Sequence, residues 1–181
     1  MAAATYYGIL KDFFKSRFMK ILYFLLILFV IAGAGFYVFQ SSSVDRAPGL
    51  VAYSIIDDRE VELPLSEARP AVLLFWSTTC SACKVEMHRL QQAVLAGKIP
   101  PGQIWAVAVG DSIEAIKEYA QQSEYSFQYF VVPQIENIKS YQVSGTPTTY
   151  HFDSAGNIQW RGEGVHPESI ARAESLFKPL P

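Results

Sequence analysis

Cysteine is almost absent from this chain: 181 residues contain two, Cys80 and Cys83. That scarcity excludes a disulfide-dense scaffold, and the lack of a second Cys-x-x-Cys excludes a four-cysteine zinc knuckle. Histidine is nearly as rare. A metal site would have to join the one cysteine pair to His88, His151 or His166. There is no basic stripe, and the net charge is −2, which argues against nucleic acid as a partner. No repeat or low-complexity tract occurs, so a solenoid is excluded. Charge is missing altogether from residues 21–39, "ILYFLLILFVIAGAGFYVF".

That uncharged run, at ~1.5 Å per residue, reaches about 28 Å, close to the hydrocarbon thickness of a bilayer. It predicts a transmembrane helix. Lys11, Lys15, Arg17 and Lys20 precede it and a nearly neutral segment follows. The positive-inside bias keeps residues 1–20 in the cytoplasm and exports the rest. Ala32-Gly33-Ala34 offers the alternative of a cleavable signal peptide, but the apolar run continues through Phe39, which favours an uncleaved anchor. Either way the remainder is exported, with 11 basic and 16 acidic residues. The expected plan is a flank (1–20), an anchor (21–39), a polar linker (40–49) and a domain (50–181). The expected location is a bacterial inner membrane, single-pass, with the domain on the periplasmic or extracytoplasmic side.

Within the domain, Val51–Ile56 and Glu60–Leu63 read as short strands around a turn at Asp57-Asp58. "AVLLFW" (71–76) and "IWAVAVG" (104–110) are continuous apolar runs, expected of strands buried on both faces. Residues 81–96 read as a helix with Val85, Leu90, Ala93 and Val94 inward. Asp111 or Ser112 can cap a second helix with Ile113, Ile116 and Ala120 inward. A strand over 127–132 and a short helix over 134–141 follow. "TTYHF", "DSAGN" and "IQWRG" read as a hairpin, and Pro167 fits the first turn of a last helix. Alternating strands and helices predict an α/β domain: a central, partly parallel sheet with helices on both faces.

This order places Cys80 just past a buried strand, at a helix start. Free N–H groups and the helix dipole favour a thiolate there and lower its pKa from ~8.5. Cys83 follows one turn later on the same face, where its sulfur can attack a mixed disulfide on Cys80. A zinc half-site, a structural staple and copper handling are the competing readings. A staple across two residues removes little unfolded-state entropy, and His88 falls largely off the cysteine face. Glu86, one turn past Cys83, can take or return its proton. Sixty residues on, "SGTPTTY" puts Pro147 at the head of a strand, where the Thr146-Pro147 bond is a candidate for cis or an ordinary trans proline.

Together, "WSTTCSACK", the element order and "GTPTTYHFDSAGNI" resemble the thioredoxin superfamily, and within it the membrane-anchored TlpA/ResA/CcmG group of thiol–disulfide oxidoreductases. The resemblance covers about residues 48–178 plus the anchor. It implies a thioredoxin-like fold with an N-terminal hairpin and a central insertion at about residues 111–132. It implies that Cys80 is the exposed nucleophile and Cys83 the buried resolver of a redox-active disulfide. Trp76, Thr146 and Pro147 would meet the client, with Thr146-Pro147 cis opposite the disulfide, and Glu86 matches the group's acidic residue. Ordinary thioredoxins carry a buried aspartate where this chain has Leu74. Three positions depart from the group: Thr79 stands where tryptophan is common, Ser81-Ala82 lacks the frequent proline, and His88 replaces another proline.

The resemblance implies client proteins with disulfides, a membrane electron donor of thiol-reductase type, and no cofactor. Reduction is the expected direction, serving cytochrome c biogenesis, copper-site cysteines or general disulfides. A thiol oxidase or isomerase of the same fold, or a metal-binding (Cu/Zn) module, is the alternative.

Overall fold

The computed structural model describes residues 20–30, 46–63, 65, 69–132 and 135–178. The chain divides into two units, 1–44 and 45–181. In the first, residues 20–30 are helical (α1) with exposed apolar side chains. Among the described residues no helix is long and apolar enough to cross a membrane. Residues 31–39 of the expected span lie outside the described residues, as do 1–19 of the flank and 40–45 of the linker.

The second unit starts earlier than expected. Arg46 forms an antiparallel bridge with Asn157, and the Ala47 N–H donates to the Gly156 carbonyl at 2.9 Å. The end of the expected linker is therefore docked on the turn of the C-terminal hairpin.

The strands are β1 (Val51–Ser54), β2 (Arg59–Glu62), β3 (Ala71–Trp76), β4 (Ile104–Val109), β5 (Gln128–Val132), β6 (Thr148–Phe152) and β7 (Ile158–Glu163). They form one sheet in the order β2-β1-β5-β4-β3-β6-β7. β3, β4 and β5 run parallel; the pairings of β1 with β2 and β5, and of β6 with β3 and β7, are antiparallel. All six residues of β3 are buried, as a strand covered on both faces requires. β1 stops at Ser54 because the Ser54 hydroxyl bonds Asp57 at 2.7 Å and Asp58 takes φ 53°, turning the chain.

The helices are α2 (Ser81–Leu95), α3 (Ile113–Gln122) and α4 (Ser169–Leu176), with a 3-10 helix over Ile135–Tyr141. Helices lie on both faces of the sheet, as expected, but unevenly. The β3-α2-β4 and β4-α3-β5 connections step the same way across the sheet, so crossovers of one hand put both helices on one face. α2, α3 and α4 all pack on the cluster built from Val72, Leu74 and Trp76. The opposite face, with Leu73, Phe75 and Val107, is covered by Ile138 and Tyr141 of the 3-10 helix and by Leu50, Leu63 and Leu65.

Two further expectations shift. Val85 is half exposed, and α2 instead buries Cys83, Glu86, Met87, Leu90, Gln91, Ala93 and Val94. At 3.6 residues per turn Val85 lies about 200° from Cys83, whereas Glu86 lies about 60° from it. Pro167 is not in the last helix, which Glu168 caps; it belongs to the preceding loop.

Candidate active site

β3 delivers the chain to the site at Trp76, and the Ser77–Cys80 turn closes with the Cys80 N–H donating to the Ser77 carbonyl at 3.2 Å. Cys80 is the N-cap of α2, and its sulfur accepts the Cys83 N–H at 3.1 Å. A side chain that caps through sulfur is already aimed along the first-turn N–H groups. Cys80 and Cys83 are joined as a disulfide with Cα atoms 5.2 Å apart. Cys80 is half-buried and Cys83 fully buried. Only one sulfur is thus open to a partner, the asymmetry a nucleophile and resolver need.

The Thr146 carbonyl oxygen lies 3.5 Å from the Cys80 sulfur. In the disulfide that sulfur carries no proton, so this is a contact; in the dithiol the same oxygen is within reach of the S–H. The Thr146-Pro147 bond is cis, the alternative the resemblance implied. Three hydrogen bonds hold this loop: Thr148 Oγ1 to the Gly145 carbonyl (2.7 Å), the Gly164 N–H to the Pro147 carbonyl (2.7 Å) and Ser144 Oγ to Glu163 (2.9 Å). Thr146 is half-buried and Pro147 buried.

Trp76 needs a different role from the one expected. It is 0 % exposed, so it offers no surface to a client. Its position on β3 turns it toward α2, where it joins the cluster that holds Cys83. Its ring lies 4.7 Å from Tyr119 and 6.1 Å from Tyr129. Burial pushes both phenols up, so this aromatic floor stays uncharged. Leu74, also fully buried, supplies no acid from the strand.

Glu86 is 0 % exposed, an unusual place for a carboxylate. Its Oε2 accepts from Arg89 Nη1 at 2.7 Å, while Oε1 is buried with no partner among the described residues. A buried charge persists only when paired and hydrogen-bonded. Glu86 is therefore a built feature of α2 and no solvated surface residue.

Asp111 is a supporting residue that sequence reasoning placed elsewhere. Ser112 caps α3, accepting the Ala115 N–H at 3.1 Å. Asp111 is left to accept from the Thr78 N–H at 3.1 Å and from the Thr78 hydroxyl. It fastens the turn before Cys80 to the end of β4. Two consecutive capping residues where a helix needs one was the available signal.

The three histidines do not converge on the cysteine pair as a ligand set. His88 is exposed on α2, His166 lies 5.3 Å from Trp160, and His151 is fully buried 4.6 Å from the same indole. Gly162 makes room for that arrangement, since a Cβ there would strike the Trp160 ring. Among the described residues no group of three or more His, Cys, Asp or Glu is placed to hold a metal ion.

The AhpC/TSA family matches residues 45–161. The chain is also similar to thiol-disulfide oxidoreductase ResA of Bacillus cereus, 24 % identical over 77 % of this chain and 85 % of the relative. ResA of Geobacillus kaustophilus is 25 % identical over 85 % of this chain and 93 % of its own. Among solved structures, a thiol:disulfide interchange protein DsbE from Chlorobium tepidum superposes with TM-score 0.57 at 21 % identity, covering 73 % of this chain and 92 % of that one. StoA from Bacillus subtilis gives 0.54 at 16 %, covering 72 % and 97 %.

Proposed function

The chain belongs to the AhpC/TSA family, and we propose that it works as a membrane-tethered, exported reductase of protein disulfides. Its activity is thiol–disulfide exchange through Cys80 and Cys83, of the ResA/DsbE type. The observation that carries the reading is the single half-buried sulfur at the start of α2, facing the Thr146 carbonyl with its partner sulfur buried behind it. In the cycle, the Cys80 thiolate attacks a client disulfide, forming one S–S bond and releasing one client thiolate. Cys83 then gives up its proton to Glu86 and attacks Cys80. The Cys80–Cys83 bond forms, the bond to the client breaks, and two electrons have passed to the client. An edge-on extended client segment pairs with the Thr146 backbone.

One carboxylate favours the reducing direction: Asp111 is fastened to Thr78, two residues before Cys80. Negative charge disfavours thiolate, and a strong oxidant is one whose reduced form is stabilised. The reduction potential, measured against glutathione or dithiothreitol, is expected near the thioredoxin range of about −270 mV. A value near the strongly oxidising ~−120 mV would make the protein an oxidase.

Clients are exported proteins with an accessible disulfide: apocytochrome c before haem attachment, copper-site cysteines of an oxidase, or misoxidised proteins generally. A membrane protein of thiol-reductase type supplies the electrons. The uncharged run 21–39 behind four basic residues supports the tether. Expressed in a bacterium, the full chain should sediment with membranes, resist alkaline carbonate and be released by detergent. External protease should degrade its domain in spheroplasts. Recovery in the soluble cytoplasmic fraction would overturn the tether.

A further inference from the structure

The proton-handling role of Glu86 leaves one strong feature of its surroundings unused. Arg89 makes three hydrogen bonds: Nη1 to Glu86 Oε2 at 2.7 Å, Nη1 to the His166 carbonyl at 3.1 Å, and Nη2 to the Pro167 carbonyl at 3.3 Å. Its side chain is only 28 % exposed. A guanidinium needs several acceptors in a fixed fork to be held in one orientation. Here two acceptors are backbone carbonyls of the loop ahead of α4, so the fork is anchored to a second element.

We propose that Arg89 is the positioning residue that makes Glu86 a one-sided base for Cys83, a proposal that rests on Glu86 being the proton acceptor. Cys83, Glu86 and Arg89 follow one another at three-residue spacing along α2. Helical side chains lean toward the helix N-terminus, so each of the latter two reaches back over the turn before it. Arg89 thereby reaches Glu86, and the same lean directs the Glu86 side chain over the turn that holds Cys83. Arg89, the more exposed of the pair, occupies Oε2. Oε1 remains buried and unpartnered, the one carboxylate oxygen left for the thiol proton. Without the fork, Oε2 and Oε1 become equivalent. The carboxylate is then free to rotate outward to water, where it no longer serves Cys83.

The step that tests this is resolution. Reduced full-length protein in detergent is mixed with Ellman's reagent in a stopped-flow instrument. The first thionitrobenzoate release reports attack by Cys80; the second reports attack by Cys83 on the Cys80 mixed disulfide. Cys83 loses its proton to Glu86 and forms the intramolecular S–S bond, and thionitrobenzoate departs as the anion. Glu86→Gln should slow the second phase about a hundredfold, within the usual range for a general base. Arg89→Met should slow it about tenfold or more and leave the first phase within about twofold. Arg89→Lys should recover part of the loss, because an ammonium restores the charge and not the fork. In the Glu86→Gln background, Arg89→Met should add nothing.

The outcomes separate. A wild-type second phase in Glu86→Gln sinks the Glu86 role itself. A slow Glu86→Gln beside a wild-type second phase in both Arg89 variants overturns the Arg89 proposal alone. An Arg89→Met effect that persists in the Glu86→Gln background assigns Arg89 to folding, and also overturns it. Should Arg89→Met not fold, Arg89→Lys completes the same cycle with Glu86→Gln, since neither strands a buried charge.

Discussion

Cys83→Ala turns the protein from a catalyst into a trap. Cys80 keeps its place at the head of α2, because the bond its sulfur accepts comes from the Cys83 backbone N–H and survives the substitution. The first step, attack of the Cys80 thiolate on a client disulfide, is therefore retained. The second step has no nucleophile: Cys83 is the only other cysteine in the chain, and water does not cleave a disulfide on this timescale. Turnover with a disulfide substrate is expected to vanish, and mixed disulfides on Cys80 are expected to accumulate in cells. Losing one buried sulfur costs about 1 kcal/mol, too little to unfold a domain of ordinary stability. Non-reducing electrophoresis followed by mass spectrometry would display the adducts and identify the client. Absence of any adduct, in protein that is folded and reduced, would exclude the exchange mechanism. A metal-carrying module predicts that absence, together with stoichiometric metal binding by the wild type.

The features legible in the sequence are those set by a short local pattern. A six-residue apolar run can be buried in one way in an α/β sheet, and β3 is fully buried as expected. Cys-x-x-Cys after that strand specifies the disulfide at a helix start, and "GTP" before β6 specifies the loop facing it. What was not legible depends on phase or on distant partners. The spacing of Val85 with Leu90, Ala93 and Val94 predicts an inward stripe, but the phase of α2 is set by Cys83, Met87, Leu90 and Val94. That phase also turns Glu86 inward, as its three-residue spacing from Cys83 implies; what the sequence does not show is that the offsetting charge sits on Arg89. The resemblance implies a client contact for Trp76. Strand alternation decides otherwise and turns it into the core. The Asp111–Thr78 tie spans 33 residues and joins two loops; the sequence shows a spare capping residue beside Ser112 but not the partner it takes. The anchoring of Arg89 to the loop before α4 spans more than twice that separation.

Acidification is expected to destabilise the domain through His151, in a pH window set by that one side chain. His151 lies on β6 with 0 % exposure, and neither ring nitrogen has a partner among the described residues. Trp160 on β7 packs against it at a tilt, and Arg172 on α4 adds positive charge nearby. Ser169 on α4 and Thr149 on β6 are uncharged polar groups buried with free hydroxyls, and on α2 Glu86 is buried against the partly exposed Arg89. Burial first, and Arg172 second, push the His151 imidazole down to about 3. In the unfolded chain it titrates near ~6.5. Between these values the unfolded state binds the extra proton, so stability falls as pH falls. The contribution is complete above about pH 6.5 and lost progressively toward pH 3, at up to ~1.4 kcal/mol per pH unit. By pH 4.5 the loss amounts to roughly 2–3 kcal/mol, a large part of an ordinary 5–15 kcal/mol. The lowered carboxylates Asp58, Asp153, Glu163 and Glu168 lose their contribution as pH falls through their unfolded values, about 3.9 for Asp and about 4.3 for Glu, and below. The interval from about pH 6.5 to 4.5 therefore belongs to His151. Urea midpoints measured across it should fall steeply for the wild type. His151→Phe keeps an aromatic ring against Trp160 and cannot take a proton, so its midpoints should stay nearly level. Parallel curves for the two proteins would show that the imidazole reaches water or finds a partner in the native state, and would remove His151 as the acid-sensitive element of the fold.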